Sequence, residues 1–166
     1  MTVNTQRPHY ARPGPIPVSG QRLYLREEEL DAGLALILEA GFALKASTLT
    51  IRQANDLNWT EARTLASVLV RPQGVLALSV RLDITKQTAI KTVEALECRG
   101  FVKRSDDPSD GRKRLINLTP EGEAIARDIG GAMRNLLAKA YRQAGGEAVT
   151  GCDAVLCALQ SSGANP

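Results

Sequence analysis

Two hydroxyls, one amide and two ammonium groups crowd into a short stretch of this chain: Thr85, Lys86, Gln87, Thr88 and Lys91. On one face of a helix start, such groups fit the major groove of double-stranded DNA, where amides and ammoniums read base edges and hydroxyls meet phosphates. Gln87 is best suited to adenine, because its amide offers a donor and an acceptor side by side. A solvated helix face is the plainer reading of Lys86 and Lys91. Other chemistries find little support. The single histidine, His9, sits in a Pro-rich stretch, so a histidine base would have to recruit that one residue. Cys98, Cys152 and Cys157 form no C-x-x-C and no zinc-ligand spacing with His9. No catalytic residue, metal or cofactor is expected, and the chain reads as a non-enzyme.

The elements that must carry these side chains can be read from periodicity and caps. Residues 1–20 hold Pro8, Pro13, Pro15 and Pro17 among Arg7 and Arg12, which predicts an extended basic arm. Across residues 21–56, Leu23, Leu30, Ile37, Leu44 and Ile51 recur every seven residues. Small residues, Gly33, Ala40, Ser47 and Ala54, run beside that row. The pattern predicts one long helix, packed either in a core or across a dimer. Asn58 and Glu61 form a capping-box pair that opens a helix through Leu69, stopped by Arg71-Pro72-Gln73-Gly74. A short helix from about Val75 to Leu82 follows. After Asp83-Ile84, Thr85 caps a second helix, which carries Ala89, Val93 and Leu96 and ends at Gly100. Two short helices across a tight turn make a helix-turn-helix.

Beyond Gly100 the pattern becomes extended. Phe101–Arg104 and Arg114–Leu118 read as strands around a polar tip from Ser105 to Gly111. Thr119-Pro120-Glu121 opens another helix, to about Gln143, with Gly130-Gly131 as a kink or a close crossing and Gly145-Gly146 as its end. A last helix is expected from Thr150, with Val155, Leu156 and Leu159 on it. The fold class is therefore mainly α with a small β wing. It divides into the arm (1–20), a first dimerisation helix (21–56), a winged helix-turn-helix lobe (57–118) and C-terminal dimerisation helices (119–166).

Composition agrees with one folded, soluble unit. Of 166 residues 43% are hydrophobic and 23% charged. Apolar runs such as Leu34 to Leu38 are far shorter than the ~20 residues of a membrane span. A cytoplasmic location without membrane attachment is expected, with reduced thiols. The net charge of +3 averages over unlike segments: residues 57–118 carry eleven basic and seven acidic side chains, and residues 21–56 four and six. The excess cations thus coincide with the helix-turn-helix, as an electrostatic footprint for DNA would.

The segment from Leu82 to Gly122, LDITKQTAIKTVEALECRGFVKRSDDPSDGRKRLINLTPEG, resembles the winged helix-turn-helix of the MarR family of bacterial transcriptional regulators. Most specific is the wing pattern Asp107, Pro108, Asp110 and Arg112, followed by Leu118, Thr119 and Gly122. The resemblance implies a homodimer on a palindromic operator, with two recognition helices about one DNA turn (~34 Å) apart. It implies that Arg112, with Lys113 beside it, reaches a neighbouring minor groove. Asp110 is expected to orient Arg112 or the tip backbone, since a carboxylate is repelled by phosphates.

It further implies a small aromatic or phenolic effector, which would release a repressor from DNA. Phe42, Trp59 and Arg63 offer rings and a guanidinium for an aromatic carboxylate. Core packing for the two rings, and an ion pair within the dimer for Arg63, are the plainer readings. A thiol switch is the rival: Cys98 points away from the face of Val93 and Leu96, beside Arg99 and Lys103. Family members that sense peroxides generally carry their reactive cysteine near the start of the first long helix, where this chain has none. A winged-helix module for protein docking or DNA architecture, without a ligand, is the remaining alternative.

Overall fold

The computed structural model describes residues 26–108 and 110–163. The arm with His9, and also Leu23, lie outside the described residues. The chain divides into two compact units, Met1–Ala43 and Leu44–Pro166.

The described residues of the first unit are Arg26 and the part of helix α1 up to Ala43; α1 itself, Glu27–Ser47, starts on three glutamates that complement its dipole. No residue of α1 is buried, and Leu30, Leu34, Ile37 and Phe42 all stand exposed. The single long helix expected across residues 21–56 is not what forms. α1 ends at Ser47, and a separate short helix α2, Leu49–Ala54, follows Thr48. The break has a local cause. Ser47 Oγ donates to the Leu44 carbonyl (2.7 Å) and Thr48 Oγ1 to that of Lys45 (2.8 Å). Hydroxyls that bond back in this way compete with the helical ladder. Ile51 therefore sits on a different helix from Leu30 and Ile37.

In the second unit, α3 (Trp59–Val70) opens as its cap sequence predicts. Asn58 Oδ1 accepts from Glu61 N at 2.9 Å, and Glu61 Oε2 accepts from Asn58 N at 2.8 Å. α4 (Val75–Leu82) and α5 (Lys86–Cys98) are joined through Asp83, held in the left-handed region at φ 51°. Gly100, at φ 74°, ends α5. Its N–H donates to the Glu97 carbonyl and that of Phe101 to the Leu96 carbonyl, a Schellman closure that carries Phe101 back over Leu96.

β1 (Val102–Asp107) pairs antiparallel with β2 (Asp110–Leu118). The ladder runs further than the expected strands. Ser105 pairs with Leu115 and Asp106 with Arg114, before an irregularity at Asp106/Asp107. Polar composition suggested a turn, but the Asp106–Arg114 ion pair across the strands (2.9 Å) fits these residues to a solvated ribbon. Gln73 adds a bridge to Ile116, which ties the loop before α4 to the wing.

α6 (Pro120–Ala144) starts at Thr119, whose Oγ1 accepts from Gly122 N at 3.1 Å. It continues through Gly130-Gly131 without a break. A Cβ at Gly131 would meet no heavy atom within 4 Å, so no close crossing explains that glycine among the described residues. α7 (Gly146–Gly163) begins four residues before the expected Thr150. Thr150 lies inside the helix, and its hydroxyl donates to the Gly146 carbonyl instead of capping. Every described side chain of α7 except that of Val149 is exposed. The core gathers Leu65, Leu78, Val93, Leu96, Ile116 and Ile129, so α3 to α6 and the wing share one apolar centre. Among the described residues no helix is long and apolar enough to cross a membrane.

Candidate nucleic-acid interface

The helix that carries the candidate base-reading residues is anchored from behind. Ala89, Thr92, Val93 and Leu96 of α5 are buried, which turns the opposite face outward. Thr85, Lys86, Gln87, Thr88 and Lys91 are all exposed. They differ in how free they are. Thr85 Oγ1 accepts from Thr88 N at 3.1 Å and lies 2.8 Å from Thr88 Oγ1, so both hydroxyls close the helix cap. Lys86, Gln87 and Lys91 make no side-chain hydrogen bond or ion pair among the described residues. The surface thus presents two cations and one amide around the helix N-terminus, whose own backbone N–H groups favour an anion.

The wing supplies a second basic element. Lys113 is exposed and lies 3.3 Å from Asp110, while Arg114 pairs with Asp106. Exposed pairs of this kind hold only ~0–1 kcal/mol, so phosphates can compete for these cations. Asp110 is therefore placed against Lys113. Arg112 lies on β2, and its side chain is outside the described part of the structure.

The other candidate residues fall into different places. Arg63 Nη2 donates to the Leu82 carbonyl at 2.9 Å, satisfying the last carbonyl of α4 where the turn to α5 begins. Trp59 is half-buried against the core, with the Arg52 guanidinium 5.8 Å from its ring centre. Phe42 belongs to the first unit and is 68% exposed. Cys98 is exposed, as are Cys152 and Cys157.

One residue that the sequence did not single out for structure is Arg99. Its guanidinium donates to the carbonyls of Asn55 and Asp56, lies 3.7 Å from buried Glu61 and covers the Phe101 ring at 4.9 Å. It therefore clamps the end of α5 to the segment between α2 and α3. The two carbonyls it meets are 43 and 44 residues away, beyond any local sequence signal.

A model of the MarR family matches residues 57–113, which span α3 to the start of β2. The chain is 29% identical over 138 residues to the HTH-type transcriptional regulator PetP of Rhodobacter capsulatus, covering 82% of this chain and 83% of that one. It is 31% identical over 106 residues to a putative transcriptional regulatory protein for the hcr operon of Thauera aromatica, covering 58% and 64% respectively. Among solved structures, S. aureus MepR in a DNA-binding conformation superposes with a TM-score of 0.68 at 18% identity, covering 77% of this chain and 96% of that one. That likeness concerns the fold.

Proposed function

We propose that this chain, whose residues 57–113 match the MarR family model and which is similar to a transcriptional regulator over most of its length, acts as a homodimeric repressor on a palindromic operator and is released from it by a small aromatic or phenolic acid. The observation that carries the DNA-binding surface is the uncommitted trio of Lys86, Gln87 and Lys91 on the outward face of a helix fixed by its buried side. A recognition helix needs this combination of rigid backing and free polar ends. The exposed apolar positions of α1, with Val155, Leu156 and Leu159 on α7, support a dimer. Exposed aliphatic rows of that extent call for cover by another surface. The wing cations would grip the flanking backbone. Phe42, Trp59 and Arg63 are the residues we assign to the effector response, with Arg63 acting through the helix-turn-helix turn that it holds.

The test is a gel shift of the full chain on a fragment of its own promoter, with aromatic carboxylates titrated against the complex. A discrete shifted species, abolished in Lys86→Ala/Gln87→Ala and released by one of the compounds, is expected. Equal binding to unrelated DNA, or indifference to every compound, would refute the specific and the ligand-responsive parts respectively.

A further inference from the structure

α4 is apolar on both sides. Leu78, Ser79 and Leu82 are buried, and the opposite stripe of Leu76, Ala77 and Val80 faces out, with Leu76 64% and Val80 77% exposed. Only Ser79 and Arg81 among its eight residues are polar, and a helix apolar on so much of its surface is normally enclosed. This outer stripe floors an open groove of 430 Å³, walled by Gln73 and rimmed by Arg71 and Arg81. Gln73 is fixed, since its Nε2 donates to both the carbonyl and the hydroxyl of Ser67 at 2.9 Å. Neither arginine side chain has a hydrogen bond or ion pair among the described residues. The groove is thus preformed at its back and floor, with two free guanidinium forks at its rim.

We propose that this groove docks an acidic amphipathic segment of a protein partner. The floor takes apolar side chains spaced i and i+4 along a helix, and each rim arginine takes a carboxylate, in a bidentate pair where geometry permits. Charge decides between occupants. The chain's own N-terminal arm carries Arg7 and Arg12 and no acid, so it matches neither arginine. DNA would satisfy the arginines but leave Leu76 and Val80 facing phosphates and sugars. Only an acidic and apolar segment complements both features. Because the stripe lies on the first helix of the helix-turn-helix and Gln87 on the second, a partner could be held while α5 engages DNA.

The probe is a fluorescein-labelled helical peptide with two leucines at i and i+4 flanked by glutamates, titrated into the full-length protein and followed by anisotropy. Saturable binding is expected, with no binding of the same peptide carrying lysines in place of the glutamates. Val80→Glu should abolish it, and Arg71→Glu and Arg81→Glu should each weaken it about tenfold, as interface anchors do. Leu76→Ser, which changes an exposed position without adding charge, should weaken it too. Circular dichroism checks that each variant is folded. Absence of peptide binding, or binding indifferent to Val80→Glu and Leu76→Ser, overturns the proposal. So does loss of dimer in Val80→Glu by sedimentation, which would assign the stripe to a second copy. Loss of promoter binding in the arginine variants without any peptide binding would assign the rim to DNA and equally overturn it.

Discussion

Gly122 lies against the backbone of Phe101 so closely that a Cβ at position 122 would stand 1.9 Å from the Phe101 carbonyl oxygen. The same oxygen accepts from Thr119 N at 3.1 Å, and Thr119 Oγ1 donates to the Gly100 carbonyl at 2.7 Å. The first turn of α6 is thereby seated on the residues that end α5 and begin the wing. Gly122→Ala must push two backbones apart, and overpacking of this sort costs about 1–3 kcal/mol. At roughly 2–4 °C per kcal/mol for a chain of this size, thermal unfolding should show a clear drop. Gly131→Ala, at an open helical position, should instead leave the midpoint unchanged or raise it, which provides the control.

Arg63 gives a second prediction. Its hydrogen bond to the Leu82 carbonyl holds the α4–α5 turn, and hydrogen bonds from a charged donor contribute ~1.5–3 kcal/mol when the acceptor has no alternative. The site is half-exposed, so water takes over part of that role and the lower end applies. Arg63→Ala should lower the unfolding temperature in the absence of any compound, and weaken operator binding in parallel. An unchanged melting curve with only the compound response lost would make Arg63 a pure effector ligand.

The thiols follow from the position of Arg99. A neighbouring guanidinium activates a cysteine only if its charge is free to face the sulfur. In this chain the guanidinium is held by two carbonyls, Glu61 and the Phe101 ring. Operator binding should therefore survive peroxide treatment, and a Cys98→Ser/Cys152→Ser/Cys157→Ser variant should bind as the parent does. Peroxide release that disappears in Cys98→Ser would establish a redox switch.

What could be read from the sequence was local. The Asn58–Glu61 box, the Thr85 and Thr119 caps and the left-handed Gly100 each depend on residues within one helical turn, and all form as their types demand. Failures arose where local signals compete or where partners lie far apart. The seven-residue row of α1 carried no sign of the Ser47 and Thr48 back-bonding that ends the helix. Acidic and basic residues in the wing looked like a turn because pairing across strands is invisible until register is known. Arg63 and Arg99 find carbonyls 19 and more than forty residues away, so their roles come only from packing. On α5 the sequence pointed to the face that the structure leaves exposed, since exposure follows from helical period. It could not separate Thr85 and Thr88, tied up in the cap, from Lys86, Gln87 and Lys91.

That separation leads to the last prediction, which concerns how the five side chains divide their work. A lysine against a phosphate contributes mainly by counterion release, so Lys86→Ala and Lys91→Ala should each reduce the slope of log K against log salt by about one, with little change in sequence preference. Gln87 is neutral, so Gln87→Ala should leave the salt slope alone. It should instead relax discrimination at one base pair by roughly 1–3 kcal/mol, visible with a panel of operators substituted one position at a time. Thr85→Ala should behave differently from all three. Removing the cap costs about 1 kcal/mol of stability, so the variant melts earlier and loses affinity on every operator alike. Fluorescence anisotropy at several salt concentrations with the operator panel distinguishes the three behaviours. A Gln87→Ala variant with a reduced salt slope and intact discrimination would remove that residue from base reading.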